Sequence, residues 1–185
     1  MSDLFVDNIK HQSSQGSGTI TIGASGETIS IPSGATLTVP NGGLTGQNYP
    51  AFEARLDNNQ TISNATTTIV IFDTEVFDTD SCYDNTTNYR FTPTVAGYYA
   101  VNIGAYVVNN TRLLLNVYKN GALYEIVHDS SISESIVRIN GSNLMYLNGT
   151  TDYIEAWVYI GGTTLEVRHP TLNGTKFEAY LVRAA

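Results

Sequence analysis

Five Asn-Gly pairs divide this chain: Asn41-Gly42, Asn120-Gly121, Asn140-Gly141, Asn148-Gly149 and Asn173-Gly174. Both residue types accept positive φ, which a two-residue type I′ hairpin requires at its two central positions. The signal is strongest where strand-like runs flank the pair. Leu113–Lys119 and Ala122–Val127 are such runs, so a hairpin turning at Asn120-Gly121 is predicted. Asn140, Asn148 and Asn173 are read as turns on the same ground.

Between these breaks apolar residues recur at every second position, the period of a strand with one face buried. Ala51–Leu56, Thr67–Phe72, Tyr98–Val108, Ser135–Ile139, Asn143–Leu147, Tyr153–Ile160, Thr164–Arg168 and Lys176–Arg183 are the strand candidates. No window shows the three-and-four spacing of a helix. Only 14% of residues are charged, and Tyr, Thr, Asn and Gly fill the remaining surface, which suits pleated sheet over helix. Many short strands with turns between them predict an all-β sandwich or barrel.

The chain divides in the Gly-rich stretch Pro40–Pro50. Residues 1–49 form a stem and linker, and residues 50–185 a β head. The stem says one phrase repeatedly: Glu27-Thr-Ile-Ser-Ile-Pro-Ser-Gly34, then Ala35-Thr-Leu-Thr-Val-Pro-Asn-Gly42, with a looser copy at Gly18–Gly26.

The net charge of -8 argues against nucleic acid or an anionic membrane as partner, since both need basic patches. The opening Met-Ser-Asp-Leu-Phe-Val-Asp lacks the basic and apolar regions of a signal peptide, and no apolar run is long enough to span a bilayer. No cofactor motif is present. His11, His128 and His169 lie in no metal-type spacing, and Ser130, Ser131, Ser133 and Ser135 sit in no nucleophile elbow. Cys82 is the sole cysteine, a small buried or interface residue before it is a nucleophile. The acidic run holding Asp78, Asp80 and Asp84 is a weak calcium candidate, and solvated loop carboxylates are the preferred reading. The expectation is a protein without catalysis.

From Phe72 onward the spacing Phe72-x5-Asp78-x4-Tyr83-x7-Phe91-x5-Gly97-x-Tyr99-x-Val101-x-Ile103 resembles the signature of the globular heads of the first complement component. The ending Phe177-Glu-Ala-Tyr-Leu-Val182 resembles the closing strand of that family. The Tyr83 to Phe91 interval is one residue longer than the pattern, and aliphatic residues stand at Val101 and Ile103. The resemblance implies a ten-stranded jelly-roll sandwich of the tumour necrosis factor type, assembled as a homotrimer. It places Phe72, Phe91, Tyr99, Val101, Ile103, Phe177 and Leu181 in the head core. The opening Phe5-Val-Asp-Asn-Ile9, with the repeats after it, is similar to short virion proteins of tailed bacteriophages. That likeness implies a structural virion protein, a capsid decoration, fibre or tail spike, holding other virion proteins through its stem. A receptor-binding tip recognising host glycan or protein is the alternative, and a polysaccharide hydrolase the weakest.

Three strand candidates carry aromatic residues on both faces. An antiparallel sheet ordinarily turns a polar face to water, and a large exposed aromatic patch marks an interface. With the trimer that the resemblance implies, Tyr98, Tyr106, Trp157 and Tyr180 are expected at subunit contacts. The competing arrangement covers them within the chain by a second layer such as Ala51–Leu56. Asp78–Tyr89, Val108–Arg112, Asp129–Glu134 and Ile160–Thr164 are expected as apical loops.

A trimer also answers the stem. Its rungs bury only Ile20 and Ile22, Ile29 and Ile31, and Leu37 and Val39. Six such side chains do not offset an ordering cost of roughly 1–2 kcal/mol per residue. Three copies meeting on one axis give them a shared core.

Overall fold

The computed structural model describes residues 33–34, 36, 49–131, 134–167 and 175–185. The stem core positions Ile20, Ile22, Ile29, Ile31, Leu37 and Val39 lie outside the described residues, as do the Asn41 and Asn173 pairs. In the stem, Ser33 and Gly34 form a turn, with Gly34 at φ 86°. The chain separates into Met1–Gly46 and Gln47–Ala185, and the second unit is the β head.

The described residues contain strands and no helix. The strands are β1 (Ala51–Arg55), β2 (Gln60–Thr61), β3 (Thr66–Ile69), β4 (Thr74–Asp78), β5 (Tyr83–Asp84), β6 (Arg90–Phe91), β7 (Gly97–Lys119), β8 (Ala122–Ser130), β9 (Glu134–Leu147), β10 (Ile154–Val167) and β11 (Lys176–Ala184). Every pairing is antiparallel. One sheet runs β4-β1-β11-β7-β9; the other joins β8, β7 and β10, with β2, β3 and β6 also on β10 and β5 beyond β6. β7 belongs to both. Its first half pairs with β9 and β11, its second with β8 and β10. The crossing comes at Thr111, the extra residue between Asn110 and Arg112, which pair with Gly162 and Gly161. A bulge bends a strand and raises its twist, so one strand can pass from sheet to sheet without a loop.

The core lies between the sheets. Phe72, Phe91, Tyr99, Val101, Ile103, Phe177 and Leu181 are all buried there. At its centre Phe52 stacks on Tyr83 at 4.5 Å and on Phe91 at 4.6 Å, and meets the edge of Phe177 at 4.9 Å. Burial is satisfied where these rings carry a hydroxyl: Tyr83 donates to the Phe72 carbonyl and Tyr99 to that of Val95.

The hairpin at Asn120-Gly121 is present with φ 54° and 77°, the type I′ signature. Asn140-Gly141 is a correction. No turn occurs there; Ser135–Ile139 and Asn143–Leu147 are parts of one strand, β9. Gly141 serves a different need, because a Cβ there would sit 2.4 Å from Val127 Cγ2 on β8. Val108–Arg112 and Ile160–Thr164 are likewise not loops: they are the bent middles of β7 and β10, paired with each other. Tyr153–Ile160 and Thr164–Arg168 join as β10, with Arg168 outside the described residues. The strand expected over Thr67–Phe72 stops at Ile69. Gln60–Thr61, Thr74–Asp78, Tyr83–Asp84 and Arg90–Phe91 are strands that alternation does not reveal, most of them too short to show a period.

Candidate interaction face

Alternation fixes what the first sheet turns outward. Tyr99, Val101, Ile103, Ala105 and Val107 face the core, so Tyr98, Ala100, Asn102, Gly104 and Tyr106 face away from it. The registers place partners beside them on β9 and β11 in rows: Tyr146 with Tyr98, Leu144 with Ala100 and Tyr180, Ser142 with Asn102 and Glu178, Asn140 with Gly104 and Lys176, Arg138 with Tyr106. Along the strands the face therefore changes character. One end is apolar and open: Leu144 is 61% exposed, Tyr180 51% and Tyr98 48%. Tyr98 and Tyr146 touch edge to face there, ring centroids 5.7 Å apart.

Past this patch lies a shallow polar depression of about 390 Å³, lined by Asn102, Gly104, Asn140, Ser142, Lys176 and Glu178. Lys176 Nζ pairs with Glu178 Oε2 at 2.6 Å along its β11 side, and on β1 Arg55 pairs with Glu53 at the same distance. Beyond it the Arg138 guanidinium stands over the Tyr106 ring at 5.2 Å.

The apolar patch is held in place from below. Lys119, at the end of β7, donates to the Tyr146 carbonyl at 2.8 Å and pairs with Asp152 Oδ2 at 2.9 Å. Asp152 also accepts from Asn120 Nδ2 and from the Asn148 amide. Burial raises the Asp152 pKa, but the Asn120, Lys119 and Asn148 hydrogen bonds outweigh it and leave the carboxyl below its ordinary value.

Of the four residues expected at subunit contacts, Tyr98, Tyr106 and Tyr180 share this face. Trp157 does not. It lies on the outer side of the second sheet, stacked on Tyr118 at 4.7 Å with Nε1 donating to Glu155. A second layer over the aromatics is also not what β1 provides, for it pairs edgewise with β11 inside the same sheet. Leu144 and Tyr146 are not among the residues expected from sequence, although alternation over Asn143–Leu147 turns both to this side.

The acidic run has a structural role. Asp78 accepts from the amides of Tyr83 and Asp80, and Asp80 accepts from the Thr94 hydroxyl. Asp84 accepts from the amides of Thr86, Thr87 and Asn88. The Thr87 amide first, then those of Thr86 and the Asn88 side chain, hold its carboxyl far below the usual range. Among the described residues no group of three or more His, Cys, Asp or Glu is placed to hold a metal.

The C1q domain family model matches residues 51–182. Among solved structures, the globular domain of the zebrafish complement 1qA protein is similar at 17% identity and a TM-score of 0.57, over 74% of this chain and 99% of that one. Murine APRIL is similar at 12% identity and a TM-score of 0.54, over 72% of this chain and 99% of that one. A search of curated proteins finds no match.

Proposed function

The chain belongs to the C1q domain family, and we propose that it works as a homotrimer, a non-enzymatic head carried on a bacteriophage virion by its N-terminal stem. Domains of the C1q and tumour necrosis factor type are typically trimeric and generally serve as binding or structural modules. The carrying observation is the open patch of Tyr98, Leu144, Tyr146 and Tyr180 on the outer face of the first sheet. An isolated soluble domain rarely leaves such a patch to water.

A second group of exposed apolar residues, Leu123, Tyr124 and Ile126, lies on β8, the edge of the other sheet. A face on one copy that meets an edge on the next makes a head-to-tail contact, and such contacts form rings when the rotation between copies closes and filaments when it does not. A trimer, as a closed ring, can use both groups in one repeated contact. The virion placement rests on the repeated stem phrases and the opening Phe5–Ile9. Two experiments test the halves separately: native mass spectrometry of the full chain, and a search for its peptides in purified virions. A single-chain mass removes the trimer; absence from virions removes the phage role.

A further inference from the structure

The first sheet ends in two different edges. On one side β9 lies against β8, where Asn143 donates to Glu125 and Gly141 admits Val127. On the other side β4 pairs with β1 alone, and among the described residues no further strand stands beside it. Four of its five residues, Thr74, Glu75, Val76 and Phe77, are exposed. Val76 and Phe77 are each 45% open. An edge strand presents unpaired amides and carbonyls, a template for one more strand, and apolar side chains on it add area for that strand to bury.

This edge is fixed at both ends. Asp78 accepts from the Tyr83 amide at 2.6 Å, and the Asp73 carbonyl accepts from Asn85 Nδ2 at 3.1 Å. The open residues lie between these ties. Phe77 stands opposite Glu53 on β1, and Val76 is the extra residue of a bulge, with no partner across from it.

Charge decides which strand fits. Residues 73–80 hold Asp73, Glu75, Asp78 and Asp80 and no base. Glu75 makes no ion pair among the described residues, and Arg55, opposite Thr74, is held by Glu53. A second copy laid edge to edge would set these carboxylates against one another, and like charges facing across strands destabilise the pair. A segment carrying Lys or Arg meets the opposite sign.

We propose that β4 receives an extended basic segment of another protein as an added strand. Main-chain hydrogen bonds along the edge supply affinity, Val76 and Phe77 take the segment's apolar side chains, and Glu75 with its acidic neighbours selects lysine and arginine. The contact involves no second copy of this chain, so its failure leaves the trimer standing.

The full chain is screened on an array of short peptides that alternate lysine or arginine with apolar and hydroxyl residues, each beside its glutamate counterpart. The best binder is titrated by fluorescence anisotropy. Saturable binding of basic peptides alone is expected, weakening as salt rises. Hydrogen exchange should find the outward amides of Thr74–Phe77 fast in the chain alone and slowed by the peptide. Glu75→Lys should weaken the basic peptide about tenfold and admit the acidic one. Phe77→Thr should weaken it as well, and both variants should keep the parent's light-scattering mass and β-sheet circular dichroism. No saturable binding, equal binding of basic and acidic peptides, or undiminished binding by either variant overturns the proposal. So do outward β4 amides that are already protected in the chain alone.

Discussion

Tyr98 and Tyr146 stand on neighbouring strands with ring centroids 5.7 Å apart and planes at 65°, yet each is more than two-fifths open to solvent. The contact is one that aromatic rings favour, about 0.5–1.5 kcal/mol beyond burial. It does not account for leaving both rings uncovered. Their neighbours Leu144 and Tyr180 are equally open, whereas every ring on the inner side of the same strands is shut away. One sheet therefore has two apolar sides, and only one is used within the chain.

The inner side is where stability concentrates. Phe52 touches Tyr83, Phe91 and Phe177 within 5 Å between ring centres. Phe52→Ala is expected to cost about 3–5 kcal/mol, and Phe52→Leu distinctly less. Urea unfolding of the two variants measures this. Equal costs would mean that the cluster closes around any apolar residue.

Much of this core is legible in the residues. Alternation in Tyr98–Val108 separates Tyr99, Val101 and Ile103 from Tyr98 and Tyr106, and the structure divides them the same way. What alternation does not carry is which sheet a strand joins. Trp157 and Tyr180 both read as outward aromatics on two-sided strands, but β10 and β11 flank different halves of β7. The bulge at Thr111 decides this, and no local pattern announces it. Asn-Gly is ambiguous in the same way: at Asn120 both residues take positive φ, whereas at Asn140 the glycine makes room for Val127.

That close approach gives a second prediction. Gly141→Ala pushes β8 away from β9 and is expected to cost about 1–3 kcal/mol. Val127→Ala removes the nearest methyl but leaves the Val127 Cβ and carbonyl oxygen 2.5 and 2.7 Å from the new Cβ. In a double-mutant cycle Gly141→Ala is therefore expected to cost nearly as much with Val127→Ala as without it, close to additivity. Full relief by Val127→Ala would show that the side chain alone sets the close approach.

Acid should weaken the head through Asp84 and Asp152. Both carboxyls titrate below their ordinary 3.8 in the folded chain. Below that value the unfolded chain binds more protons, so stability is fully present above it and is lost as pH falls toward the folded values. Calorimetry should find the melting gap between the parent and Asp152→Asn wide at neutral pH and narrowing in acid. A gap that is constant, or wider in acid, contradicts the hydrogen-bonding described for Asp152.

Cys82 is buried, and that burial first, with the charges of Asp80 and Asp78 adding, pushes its thiol up to about 11. Only the thiolate reacts. Ellman's reagent at mildly alkaline pH should leave the folded head unlabelled and label it at once in denaturant. Rapid labelling of the native chain would show that the loop around Cys82 opens.

The open face of the first sheet calls for a second copy of the chain, and mass in solution tests this most directly. Light scattering on the full chain should return three times its 20.1 kDa. Tyr98→Lys with Tyr180→Lys should return the single-chain value with unchanged β-sheet circular dichroism. A parent chain that runs at 20.1 kDa at micromolar concentration would contradict the trimer.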